Sequence, residues 1–180
     1  AEDDDLFFGA LRKVLLGPDG NIYTLDQQQS QVAVFDQEGQ LLRYLSREGE
    51  GPGECSRPED MVFLPDGSLG LAQYLVGKII KIDLEGTPRE TLMPPGFDPM
   101  EGGAMSSIRR ARWRADTFVI NGVRVQPQDD GMVRTQYLVR CDQNAKPLVE
   151  YLSRSTSSNL MRDGWIEKNN YFPSHDRWDI

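Results

Sequence analysis

Two turn signals recur along this 180-residue chain at one fixed displacement, and no other feature restricts its fold as tightly. Pro18-Asp19-Gly20-Asn21-Ile22 returns as Pro65-Asp66-Gly67-Ser68-Leu69, and Phe35-Asp36-Gln37-Glu38-Gly39 returns as Ile82-Asp83-Leu84-Glu85-Gly86, both 47 positions on (18 to 65, 35 to 82). A fixed period of this size means that each unit is one supersecondary element stacked on its neighbours. Within a unit, four apolar runs are separated by Asp-Gly or acidic-Gly turns and a polar gap, which is the pattern of a four-stranded antiparallel meander. In the third run, Ala33 and Phe35 match Ile80 and Ile82 in parity and share one sheet face, while Val32 and Val34 match Ile79 and Lys81 on the other.

A third copy is degenerate. Val139, Cys141 and Asp142 stand in for Ile80, Ile82 and Asp83 at a displacement of 59 (82 to 141), so 12 positions have been added. They fall in Val123 to Thr135, read as an inserted hairpin that turns at Asp129-Asp130-Gly131. Upstream, Phe118 and Ile120 match Leu69 and Leu71, and Ala115-Asp116 replaces the Asp-Gly turn; downstream, Tyr151-Leu152-Ser153-Arg154 repeats Tyr44-Leu45-Ser46-Arg47. Repeats of ~40 to 50 residues with four strands each predict the blades of a β-propeller. The expected organisation is an acidic segment at 1–10, blades at 11–54, 55–103 and 104–158 (the last carrying the hairpin 123–135), and a link with the start of a fourth blade at 159–180.

The stretch from Gly17 to Gly67 resembles an NHL-type repeat: a Gly51-Pro52-Gly53 link and Pro58 precede a strand, Asp-Gly turns follow, one strand ends in Asp26, and Phe35-Asp36-Gln37-Glu38-Gly39 closes the next turn. It is also similar to bacterial six-bladed propeller proteins that carry such repeats. The likeness covers roughly residues 11 to 153 and weakens from the first blade to the third; Asp26 becomes Gln73 in the second. It implies an all-β partial propeller, a fragment of a six-bladed one, with the missing blades supplied by the same longer chain or by a second copy. It also implies that Gly49 to Gly53 joins blades. A phosphate cradle would need converging amides at a helix N-terminus and a nearby lysine, and neither follows Gly53.

A formal net charge of -8 argues against nucleic acid as a partner, because phosphate is bound through lysine and arginine. No apolar stretch approaches the ~18 to 20 residues of a membrane span. The chain opens Ala1-Glu2-Asp3-Asp4-Asp5, so either a signal has been removed or this is a piece of something longer. The family likeness implies a periplasmic or extracellular location, with anchoring to a membrane through a missing N-terminus as one form of it. Two cysteines and one histidine form neither a disulfide framework nor a zinc site. Cys141 is expected in the core and Cys55 exposed in the joint.

The residues with chemistry to offer are few. Glu59 and Asp60 begin an inner strand, where propellers present side chains to the axial channel; with Asn121 they form an incomplete oxygen-ligand set for calcium or another divalent ion. Arg110, Arg112 and Arg114 share one strand face opposite Ala111 and Trp113. His175 sits in a loop near Pro173 and Trp178. These readings converge on a non-enzymatic binding or scaffold module whose axial face takes a protein or small-molecule ligand through Glu59, Asp60, Arg110, Arg112, Arg114 and His175, with no cofactor. Two alternatives are a divalent-metal hydrolase or lactonase using Glu59, Asp60 and Asn121, and an RNA-binding propeller using the arginine face.

Overall fold

Short runs rich in Val, Ile, Leu and aromatic residues pair across tight turns because each half-buried strand needs a neighbour for its N–H and C=O groups. The computed structural model describes residues 7–94, 105–114, 116–128 and 131–158, and the described residues form three four-stranded antiparallel sheets with no helix. The first holds β1 (Leu11–Leu16), β2 (Ile22–Asp26), β3 (Gln31–Phe35) and β4 (Leu41–Leu45). The second holds β5 (Pro58–Phe63), β6 (Leu69–Gln73), β7 (Ile79–Ile82) and β8 (Pro88–Leu92). The third holds β9 (Met105–Arg114), β10 (Thr117–Gln128), β11 (Gly131–Cys141) and β12 (Pro147–Ser158). In every sheet the spatial order follows the sequence, and β1, β5 and β9 lie side by side as the inner strands of consecutive blades.

One turn is built three times. The Asp36 carboxylate accepts the N–H groups of Glu38 and Gln40, Asp83 those of Glu85 and Thr87, and Asp142 those of Asn144 and Lys146, at 2.7 to 3.1 Å. Gly39 and Gly86 take the left-handed conformation that the turn demands, at φ 82° and 90°. Ala145 holds the same place in the third blade at φ 61°, and its methyl is buried against the core.

Blade packing follows the parity of the third run. Tyr23, Leu25, Val32 and Val34 of the first sheet bury against Met61, Leu69, Leu71, Ile80 and Ile82 of the second. The opposite face of the second sheet, with Val62, Leu64, Ala72 and Ile79, buries against Ile108, Ala111, Phe118, Ile120, Val139 and Cys141 of the third. Each fully buried large aliphatic side chain contributes about 1.5–3 kcal/mol, so the two seams hold the blades as one body. Edge-to-face aromatic pairs add to this: Tyr23 with Phe63 at 5.0 Å crosses the first seam, and Trp113 with Phe118 at 4.7 Å packs within the third sheet beside the second.

Residues 123 to 135 lengthen the central hairpin of the third blade: Val123 pairs with Gln136, and the ladder runs to Gln128 opposite Gly131. The outer strands grow with it, since Met105 pairs with Val125 and Met132 with Ser158. Tyr137 lies across Gly122 in this extension and donates its hydroxyl to the Ser107 carbonyl at 2.8 Å. A Cβ on Gly122 would overlap both the Tyr137 hydroxyl and that carbonyl, so only glycine fits. The extension rises at the end of the blades that carries the β2–β3 and β6–β7 turns and the 46–57 link, here termed the link face.

Candidate functional site

The inner strands meet on a buried carboxylate. Asp60 on β5 is 1% exposed, and both its oxygens are occupied: Oδ1 by Lys13 Nζ at 2.5 Å and the Met61 N–H at 3.0 Å, Oδ2 by the Ala111 N–H at 2.9 Å and Arg112 Nη1 at 2.7 Å. One residue thereby ties β1, β5 and β9 together. Burial pulls the Lys13 ammonium below its ordinary value, against the opposing pull of the Asp60 carboxylate. Arg112 alternates with Ala111 and Trp113, which face the second blade, so its guanidinium reaches Asp60 around the free edge of β9. A divalent ion at Asp60 would have to displace two cations and two backbone donors.

Beside this strut, the link face opens into a cleft of about 470 Å³ lined by Ala10, Arg12, Gln27, Gln28, Glu48, Arg57, Glu59 and Tyr74. Its floor is wired through side chains. Arg12 Nε donates to Gln27 Oε1 at 2.8 Å, and Gln27 Nε2 donates to Glu59 Oε1 at 2.7 Å. Arg109, the residue displaced by the irregularity in β9, sits with its guanidinium 5.6 Å from the Tyr74 ring, and Arg110 donates to the Glu59 carbonyl at 3.5 Å. Arg57 holds a left-handed backbone at φ 48°, with its N–H tied to the Ser30 hydroxyl at 3.1 Å. That unusual conformation is set by the link, and it leaves the arginine side chain on the cleft wall.

The cleft rim is anchored by a residue that changes type between blades. In the first, Asp26 accepts the N–H groups of Gly9, Ala10 and Gln29 at 2.6 to 3.2 Å. Burial works to raise the Asp26 carboxyl, but those backbone donors outweigh it and hold it low. In the second, Gln73 Oε1 accepts the Ser56 N–H at 3.0 Å while its Nε2 donates to the Leu75 carbonyl at 3.2 Å. A neutral amide thus performs the same tethering of incoming segment to turn. Gly122 follows at the corresponding place in the third blade, where the strand continues instead of turning.

The 46–57 link is closed by its own side chains. The Cys55 N–H donates to the Arg47 carbonyl at 3.0 Å, and the Glu54 carboxylate folds back to accept the Gly51 N–H at 2.9 Å and Arg47 Nε at 2.7 Å. The glycine-rich loop therefore holds an anion belonging to the protein. Cys55, expected to be exposed, is buried, with its thiol against the Ser30 carbonyl and the Ser46 hydroxyl. Burial pushes the thiols of Cys55 and Cys141 up to about 11.

Of the residues singled out from sequence, Glu59, Asp60, Arg110 and Arg112 come together at the axial end of the link face. Arg114 ends β9 in solvent at the far end, its carbonyl accepting the Thr117 hydroxyl, and Asn121 is exposed opposite Arg110 with no hydrogen bond to Glu59 or Asp60 among the described residues. His175 lies outside the described residues. Lys13, Arg12, Gln27, Arg57, Tyr74 and Arg109 were not anticipated. Lys13 had a signal: it stands 47 positions before Asp60, at the same place in the repeat.

The profile of a protein family described as 6-bladed beta-propeller matches residues 3–95, just over half of the chain. The chain belongs to this family. Among solved structures, a putative exported protein of Bacteroides fragilis aligns with a TM-score of 0.58 at 14% identity, over 88% of this chain and 42% of its own. Virginiamycin B lyase of Staphylococcus aureus aligns at 12% identity and a TM-score of 0.48, over 81% of this chain and 54% of its own. The first similarity is one of fold; the second is too loose to carry any argument. The chain spans about half the length of these structures, and no curated protein matches its sequence. The three described sheets are thus blades of a propeller, and among the described residues no helix is long and apolar enough to cross a membrane.

Proposed function

We propose that this chain is part of an exported, non-enzymatic binding or scaffold module whose ligand, a protein or small molecule, docks on the axial link face. The observation that carries the reading is the cleft itself: Arg12, Gln27, Arg57, Glu59 and Tyr74 converge on one concavity beside the axis. Its polar groups suit recognition better than catalysis. The buried carboxylates beside it, Asp26 and Asp60, have both oxygens engaged, and both thiols are buried and pushed up to about 11. Export is proposed by analogy with the Bacteroides fragilis protein of similar fold, and the ring is proposed to be completed by further blades.

Nuclear magnetic resonance titration of the chain with small anionic, cationic and neutral fragments tests the reading. The expected result is saturable shift changes confined to Gln27, Arg57, Glu59 and Tyr74, with no turnover. Calcium-stimulated hydrolysis of a lactone, lost in Glu59→Gln, would overturn it in favour of a metal-dependent hydrolase.

A further inference from the structure

Two clefts of about 470 Å³ among the described residues differ in charge, although the chain as a whole is strongly acidic. The cleft at the opposite end, also about 470 Å³, lies between the second and third blades and is lined by Asp66, Glu90 and Asp116 with Lys81 as its single cation. That lysine is already bound by Asp66 at 2.8 Å and Glu90 at 3.0 Å. The link-face cleft lacks that acidic excess. Arg12 and Arg57 line it with Glu48 and Glu59, two charges of each sign, and two further arginines border it: Arg109 covers the Tyr74 ring on its wall, and Arg110 reaches the Glu59 carbonyl. Lys13 and Arg112 add two positive charges next to it and Asp60 removes one.

We infer that the link-face cleft is selective for an oxyanion, a carboxylate or phosphate group carried by the ligand and held between Arg12 and Arg57. Arg57 has no salt bridge or side-chain hydrogen bond among the described residues, and Arg12 spends only the Nε side of its guanidinium, with Nη2, on Gln27. Arginine forks match oxyanions through paired N–H donors, and the surplus of cations bordering the cleft draws in an incoming anion. Tyr74 and the exposed Leu75 beside it offer an apolar surface for the uncharged part of the ligand. The inference deepens the proposed function and rests on it for the location of the site.

The test is titration of the 180-residue chain with citrate, with inorganic phosphate, with choline and with a neutral disaccharide, followed by backbone and arginine Nε resonances. Citrate or phosphate is expected to bind saturably at Arg12, Arg57 and Tyr74, the tighter of the two naming the oxyanion. Affinity is expected to fall several-fold between about 20 and about 200 mM salt. Arg57→Gln should weaken binding about tenfold or more, and Arg57→Lys should restore part of it. Arg12→Gln provides a second variant at an exposed position, should Arg57→Gln disturb the link. Equal or tighter binding of choline or the disaccharide in this cleft would overturn anion selectivity while leaving the binding module intact. Absence of any saturable change, or an unchanged affinity in both glutamine variants, would overturn the inference outright. Catalytic turnover would instead overturn the reading on which it rests.

Discussion

Asp60→Asn tests whether the buried strut between the inner strands contributes to stability or is merely tolerated. The substitution keeps the volume and one oxygen but removes the charge facing Lys13 Nζ at 2.5 Å and Arg112 Nη1 at 2.7 Å. It also replaces an acceptor by an amide donor opposite a lysine or an arginine. Breaking a fully buried pair costs about 3–5 kcal/mol because the remaining charge is left without compensation. Lys13 is nearly buried, whereas the Arg112 side chain is 45% exposed and can turn to water, so its share is discounted. The expected loss is therefore about 2–4 kcal/mol, measured by urea unfolding with the slope of the transition unchanged. Lys13→Met in the same chain should recover part of that loss, since the stranded ammonium is then gone. A loss below about 1 kcal/mol, or no recovery in the double variant, would refute the claim that one carboxylate fastens three blades.

Three further outcomes follow from the packing and the charges. Gly122→Ala is expected to destabilise by about 3 kcal/mol or more in urea unfolding, and Tyr137→Phe should not rescue it, because the Ser107 carbonyl obstructs the new methyl as well. Cys55 and Cys141 should not react with a thiol reagent at pH 8 in the folded chain and should both react in denaturant, since burial pushes each thiol up to about 11. Partial burial works to raise the Asp66 carboxyl, but hydrogen bonds from Lys81 and Ser68 prevail and hold it at about 2. Its stabilising effect is thus complete above the ordinary value of 3.8 and is lost as pH falls toward 2, so the melting temperature should decline across that window and decline less in Ser68→Ala.

The fold was legible because its signals are local and repeated. Asp36, Asp83 and Asp142 each carry the same turn with their own carboxylate, and the parity of Ile80 and Ile82 against Ile79 assigns both seams. The site was legible only in part. Glu59 and Asp60 stand out in sequence as adjacent carboxylates, but nothing in their own strand distinguishes a channel-facing group from one buried under Lys13 and Arg112 of neighbouring blades. Tyr74 and Arg109 are 35 positions apart (74 to 109) and meet through an irregularity in β9 that no composition signal announces. Arg57 owes its direction to a left-handed backbone, a conformation that a sequence offers no reason to expect for arginine.

The same axial register decides how a ring containing these blades can close. Lys13, Asp60 and Arg110 hold one position in successive inner strands: they lie opposite Leu25, Ala72 and Asn121, the matching residues of the second strands. At the first seam the register sets Lys13 against Asp60, a favourable pair; at the second it sets Asp60 against Arg112 and the Ala111 N–H, favourable again. Head-to-tail pairing of two identical chains would set Arg110, with Arg112 two residues along, against Arg12 and Lys13. Like charges juxtaposed across an interface cost several kcal/mol, and no acidic residue occurs in β1 to offset them. The inner strand that follows β9 in a closed ring is accordingly expected to carry a carboxylate at this position, and identical three-blade units are not expected to close on each other. Light scattering from the 180-residue chain across a range of concentrations checks this: a mass that stays at twice the chain's 20.4 kDa on dilution would mean that the arginines have found acceptors this register does not provide.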